Sequence, residues 1–208
     1  SEPIPTGLGA TDDIRPELHA HTTASDGAMS IEALARAAKA QGFHTIAVTD
    51  HSRSSVQANG LSPERLLAHI DAIRAAEAKI GGIRLLAGSE VDIHADGSLD
   101  YDDELLARLD LVIASPHASR RQEPATATAR LLAAVRHPLV HCIGHPTGRI
   151  INGRPGLEPD MPAIIAAARE CGTALEINAN HLRLDLRDAH VRMAVDAGVT
   201  IAINCDVH

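Results

Sequence analysis

Aromatic side chains are nearly missing from this sequence: one Phe, one Tyr and no Trp among 208 residues. The core must therefore be filled by Leu, Ile, Val and Ala. An aromatic platform for stacking single-stranded bases is unavailable. Positive charge is also short. Nineteen Lys and Arg stand against twenty-seven Asp and Glu, a formal net charge of −8, which excludes broad nucleic-acid affinity from charge alone. A phosphate substrate is not excluded, because bound cations reverse the sign of a site locally. Cysteine is scarce too. Cys142, Cys171 and Cys205 form no CxxC pair and read as small apolar residues, Cys142 and Cys205 within strand-like runs. Their odd number, without a leader peptide, predicts a reducing, cytoplasmic compartment. No apolar run is long enough to span a bilayer, so no membrane partner is expected.

What is present is alternation. Short apolar runs recur at 17–21, 45–49, 84–88, 111–115, 140–144, 174–178 and 200–204. Several, such as TIAVTD, LVIAS and VTIAIN, are almost continuously apolar, as strands buried on both faces of a parallel sheet must be. Between them lie segments of helical period. Ser30 is placed to cap IEALARAAKAQ before Gly42, and Ser62-Pro63 opens a long helix that Gly81 closes. Weaker helices are expected at 102–109 and 126–135, and further ones at 159–171 and 186–197. Seven strand–helix units imply right-handed βαβ crossovers. Neither a G-x-G-x-x-G nor a Walker loop follows any strand, which weakens an open nucleotide-binding sheet. The expected fold is α/β, a seven-stranded (βα)7 TIM-like barrel, one unit short of the usual eight. Residues 1–14 read as a linker or tail and 15–208 as one domain.

Thirteen histidines are the conspicuous surplus, and many fall at strand ends. The first strand ends in HAHTTASD (His19, His21, Asp26) and the second in TDH (Asp50, His51). The third ends in GSEVD (Glu90, Asp92), the fourth in SPH (His117) and the fifth in GHP (His145). The sixth ends in EINAN, and the last in CDVH (Asp206, His208). In a parallel barrel these ends converge on one face. The two-residue period of a strand puts His19 and His21, or Asp206 and His208, on one side. Six histidines and three carboxylates exceed the needs of one ion, so two or three divalent ions are expected, manganese or zinc, with iron an alternative. His44, His69, His137, His141 and His190 fall elsewhere and read as ordinary structural histidines. Asp50 and Asp92 are candidates to accept hydrogen bonds from ligand histidines. Arg53, Arg120, Arg121, Arg149 and Arg183 stand near strand ends, where guanidinium suits phosphate; Arg149, Arg120 and Arg183 are the foremost substrate candidates.

The motifs HAHTTASDG, TDH, GSEVD, SPH, GHP and CDVH, in this order from His19 to His208, resemble the PHP (polymerase and histidinol phosphatase) superfamily. The phrases ANGLSPERL, RLLAGSEVDI, LDLVIASPH, GHPTGR and GTALEINAN, with Asp26 where several stand-alone members carry His, are similar to the C-terminal PHP domain of bacterial family X DNA polymerases. The resemblance implies a distorted barrel and a trinuclear site. By it His19, His21, Glu90 and Asp206 hold one ion, and Glu90 bridges to a second held by His117 and His145. Asp26, His51 and His208 hold the third. Glu90, Asp206 and His117 would then carry catalysis. The implied activity is a 3′–5′ exonuclease or 3′-end phosphatase on DNA; the alternatives are a phosphatase of small substrates such as histidinol phosphate, or a non-catalytic support for a polymerase. The implied partner is a nucleotidyltransferase domain in a longer chain. Two departures stand out. Pro16-Glu17 replaces the usual Gly-Asp before the first motif, and Cys205 and Val207 flank Asp206 where Thr and Ala are usual.

Overall fold

The computed structural model describes residues 16–119 and 121–208. The proposed tail at 1–14 and Arg120 lie outside the described residues. Among the described residues seven strands, β1 (Pro16–Ala20), β2 (Thr45–Val48), β3 (Arg84–Asp92), β4 (Leu111–Ser115), β5 (Cys142–Ile143), β6 (Ala174–Asn178) and β7 (Ile201–Asn204), alternate with six α-helices. These are α1 (Ile31–Ala40), α2 (Pro63–Ile80), α3 (Asp103–Leu106), α4 (Pro124–Val135), α5 (Met161–Cys171) and α6 (Asp188–Asp196). The strands pair in parallel in chain order. The ring closes just beyond β7, where His21 N donates to Val207 O at 2.8 Å and Val207 N to His19 O at 3.1 Å. The result is a seven-stranded, distorted (βα)7 barrel.

The helices begin where side-chain oxygens replace missing carbonyl partners. Ser30 accepts from Ala33 N, Ser62 from Arg65 N and Asp160 from Ala163 N. Gly172 ends α5 with φ of +71°, which a side chain would strain. The aliphatic core is divided. Ile46, Val48, Leu85, Leu34 and Ile73 pack α1 and α2 on the first strands. Val112, Ile143, Leu131, Ile164 and Leu175 fill the larger remainder.

Several boundaries differ from the sequence expectation. β3 continues through Asp92, so Glu90 and Asp92 lie inside the strand rather than beyond it. β5 is only two residues long, because the chain turns at Gly144 and His145, whose φ is +21°. The helix expected at 102–109 is a single turn, while α4 starts two residues early, at Pro124. Of the cysteines only Cys142 is buried; Cys171 and Cys205 are exposed.

Candidate metal centre

Glu90 occupies the middle of the barrel's C-terminal face, 1% exposed. Its Oε1 lies 2.8 Å from His145 Nε2 and 3.1 Å from His117 Nε2. Its Oε2 lies 3.1 Å from His51 Nδ1, 3.4 Å from His19 Nε2 and 3.6 Å from His21 Nε2. Five imidazoles from four strand ends thus surround one carboxylate. Asp206, with φ of +55°, brings Oδ1 to 3.1 Å from His21 Nε2 and 3.4 Å from His19 Nε2. Asp26 Oδ2 stands 3.4 Å from His51 Nε2 and 3.5 Å from His208 Nε2. All nine ligand candidates of the sequence reading therefore meet in one cluster.

Three groupings have ligand atoms close enough for a shared ion: His21, Asp26, His51 and His208; His19, His21 and Asp206; and His51, Glu90 and His117. The partition differs from the expected one: Glu90 does not join His19, His21 and Asp206, and His145 falls in none of the three groupings. His21 joins the Asp26 group as well as the Asp206 group, and His51 turns its second nitrogen to Glu90. Imidazole has two distinct ring nitrogens, and the sequence alone cannot say which neighbour each one meets.

The donor set fits divalent cations on its own chemistry. His19 Nε2, His21 Nδ1, His51 Nδ1, His117 Nε2 and both oxygens of Glu90 are buried without a hydrogen bond. Buried polar atoms of this kind cost free energy unless something else satisfies them. The far nitrogens of two of these histidines are already committed. His19 Nδ1 donates to Glu176 Oε2 at 2.7 Å, and His117 Nδ1 donates to Asp92. Histidine held by a carboxylate on one side and bare on the other is the arrangement that metal sites use.

Charge follows from the same packing. Burial opposes ionisation of Glu90, yet the neighbouring His117, His19 and His51 hold its carboxyl well below the usual range. Asp206 is held low in the same way by His19 and His21 against the effect of burial. Burial would lower His117, but Glu90 and Asp92 push it up to about 10. The Asp26 hydrogen bond raises His208 to about 9.

Supporting residues came out differently from the sequence reading. Asp50 does not reach a ligand histidine. It accepts from Thr22 N and Thr22 Oγ1, each at 2.8 Å, from Ser25 Oγ at 2.5 Å and from His69 Nε2 at 2.7 Å. It therefore shapes the turn that carries Asp26, and His69, taken as an ordinary mid-helix residue, is its buried partner. Glu17, despite its departure from the usual Asp, accepts from His19 N at 3.0 Å and Cys205 N at 3.1 Å, joining β1 to β7. Glu176 was missed altogether. It also accepts from His145 N and Asn204 Nδ2, both at 2.9 Å. The available signal was a carboxylate inside the apolar run ALEIN, one alternation before Asn178, whose Nδ2 donates to Asp206 Oδ2 at 2.9 Å. Arg183 Nε stands 3.7 Å from that same oxygen. Arg149 instead spends its guanidinium on the carbonyls of Arg183 and Leu184.

The sequence profile of the PHP domain matches residues 17–180. Over 195 residues the chain is 47% identical to the DNA polymerase/3'-5' exonuclease PolX of Bacillus subtilis, covering 94% of this chain and 34% of that protein. A probable phosphatase of Caldicellulosiruptor bescii is 30% identical over 201 residues, covering 92% of this chain and 79% of that one. In fold the chain resembles histidinol phosphate phosphatase from Lactococcus lactis, solved with zinc, L-histidinol and phosphate, at a TM-score of 0.60 and 16% identity, covering 93% of this chain and 86% of that chain. The chain belongs to the PHP domain family. It spans about a third of the length of the Bacillus relative.

Proposed function

We propose that this metal-dependent phosphoesterase of the PHP family works on the 3′ ends of DNA, as the exonuclease or 3′-end processing module of a family X polymerase. The observation that carries the substrate is the 47% identity to the Bacillus PolX, sustained over 94% of this chain. As the family resemblance implies, His19, His21, Glu90 and Asp206 would hold one ion, Glu90 with His117 and His145 a second, and Asp26, His51 and His208 a third, with His21 and His51 each within reach of two groupings. Divalent ions there, manganese, zinc or iron, would supply neutralisation of phosphoryl charge and acidification of water near neutral pH.

The chain's own residues do the rest. Glu90 presents both oxygens to the ligand histidines on either side of it and sets their spacing. Glu176 and Asp92 hold His19 and His117 in the tautomer that leaves the inward nitrogen bare. Arg183 brings a cation to the rim beside Asp206, where a phosphoryl oxygen of the substrate would arrive. A nucleotidyltransferase domain in a longer chain is the natural partner, and a cytoplasmic location fits the free cysteines. Among the described residues no helix is long and apolar enough to cross a membrane.

A second reading, a phosphatase of small phosphoesters, draws on the Caldicellulosiruptor relative, of which this chain covers 79%, and on the net charge of −8. The test offers 3′-recessed DNA and histidinol phosphate separately, each with Mn²⁺, using Glu90→Ala as the inactive control. Mononucleotides released from DNA alone support the proposal. Phosphate released from histidinol phosphate alone replaces it with the second reading. Equal activity in Glu90→Ala would sink both.

A further inference from the structure

Of the nine ligand candidates, His145 is the one outside the three close groupings, although its Nε2 lies 2.8 Å from Glu90 Oε1. It is buried, and its φ of +21° is one that side chains rarely adopt. A residue in such a conformation persists only where its surroundings over-determine it. Its other ring nitrogen, Nδ1, is buried without a hydrogen bond. His19 and His117 differ on this point, since Glu176 and Asp92 hold their outer nitrogens.

Asp185, fully buried in the loop after β6, supplies those surroundings. Its Oδ2 accepts from Thr147 N at 3.0 Å, from Thr147 Oγ1 at 2.9 Å and from Gly148 N at 2.8 Å. These donors follow His145 in a turn that Gly148 N closes on His145 O at 2.8 Å. The main chain of Asp185 is itself fixed. It exchanges hydrogen bonds with Asn178, the last residue of β6, and Leu186 N donates to Glu176 O at 3.2 Å. Glu176 and Asp185 are thus held by one strand. The second carboxylate oxygen of Asp185, Oδ1, is buried without a hydrogen bond, as His145 Nδ1 is. Burial pushes the Asp185 carboxyl up, and His145 is the foremost influence pulling it back, so the two groups sense each other across the turn.

We propose that Asp185 is the positioning residue for His145: its Oδ2 fastens the turn that aims Nε2 at Glu90, and its Oδ1 accepts from Nδ1–H through a bridging water. The inference rests on the metal-centre reading, in which His145 serves the ion it would share with Glu90 and His117, and deepens it. Two buried polar atoms that make no direct bond are the partners a structural water needs. A carboxylate behind a ligand imidazole keeps the proton on the outer nitrogen and leaves the inner one bare. One strand, β6, then steadies His19 through Glu176 and His145 through Asp185.

The test compares the wild-type protein with Asp185→Asn, Thr147→Val and His145→Ala, each stripped with EDTA and titrated with Mn²⁺ and Zn²⁺ by equilibrium dialysis. Asparagine keeps an oxygen for the three donors of the turn and replaces only Oδ1, by an NH2 group. Asp185→Asn should therefore hold its metal-free Tm while its affinity for one of the ions falls about tenfold. Its ligands are intact, so excess Mn²⁺ should restore kcat on bis(4-nitrophenyl) phosphate at an unchanged KM, and should fail to do so for His145→Ala. Thr147→Val, which removes one of the three donors, should weaken the same ion less. Unchanged metal affinity in Asp185→Asn, with an ion lost from His145→Ala, overturns the role of Asp185 and leaves the metal centre standing. A lowered metal-free Tm in folded Asp185→Asn, with no recovery at excess Mn²⁺, also overturns it, reducing Asp185 to structural support. Where Asp185→Asn fails to fold, Thr147→Val carries the test, and unchanged affinity there overturns the inference. A full complement of ions in His145→Ala removes His145 from the centre, and the inference with it.

Discussion

Glu176 shows how much of this centre is decided away from its ligands. Fully buried, it serves His19 Nδ1, His145 N and Asn204 Nδ2 at once. Glu176→Gln keeps the shape but turns one acceptor into a donor, so His19 loses the partner that fixes its tautomer. Metal affinity should fall by about 10–100-fold, measured by equilibrium dialysis against Mn²⁺ and Zn²⁺; an unchanged affinity would show that His19 needs no such support. Protonation gives a second prediction. His117 and His208, raised to about 10 and about 9, are charged at neutral pH in the metal-free protein. Their charged forms stabilise that protein below the unfolded value near 6.5, and the contribution is lost as pH rises through the folded values. Ligand imidazoles must be neutral, so metal uptake at pH 7 should expel a proton from each of these two residues and from His19, which Glu176, Asp206 and Glu90 also hold raised against the effect of burial. A weakly buffered titration with a pH indicator reads this directly. No proton release would mean that none of these imidazoles takes part. Every one of the nine ligand candidates was legible in the sequence, since each falls in a short motif at or just beyond the C-terminal part of a strand. Glu176 and His69 were not, because a buried carboxylate in a strand and a histidine in a helix acquire meaning only from the side chain opposite.

Strand ends are where the elements matter most. Gly144 closes β5 immediately before His145, and a Cβ there would collide with Ser115 Oγ and lie 2.8 Å from Ile113 Cγ2. Gly144→Ala should therefore push His145 away from Glu90. We expect destabilisation of roughly 1–3 kcal/mol, typical of overpacking, together with reduced metal retention, checked by denaturant unfolding and elemental analysis. Retention of both would show that the strand end can shift without cost. The helices were readable because their signals are local: Ser30, Ser62 and Asp160 cap the turns that follow them. The strand lengths were less so. β3 extends past Gly88 because its pairing with β4 continues to Asp92↔Ser115, whereas β5 stops early because the backbone turns at His145. Pairing partners lie far along the chain, and periodicity within one segment does not report them.

At the scale of the whole molecule, the barrel gathers ligand candidates from strands β1 and β3 and from the loops after β1, β2, β4, β5 and β7, so a metal centre there would draw on almost the full circumference. Ions that bind only the folded chain stabilise it by mass action, about 2.7 kcal/mol at a concentration one hundred times Kd. For a domain of this size that is roughly 5–10 °C in Tm. Chelation should lower Tm by this order and Mn²⁺ should restore it, followed by thermal unfolding with and without EDTA; an unmoved Tm would argue that the cluster holds no structural ion. The sequence by itself determined the strand–helix alternation, the barrel and the nine residues facing its C-terminal end, because hydrophobic period, caps and motif spacing are properties of contiguous chain. Only the tertiary structure decided that His21 and His51 each lie within reach of two groupings, that Glu176 rather than Asp50 steadies a ligand candidate, that Arg149 is tied to main-chain carbonyls, and that the loops after β5 and β6 join. Those outcomes depend on contacts across more than thirty residues of chain or across the closed ring, and such contacts exist only once the seven strands have closed.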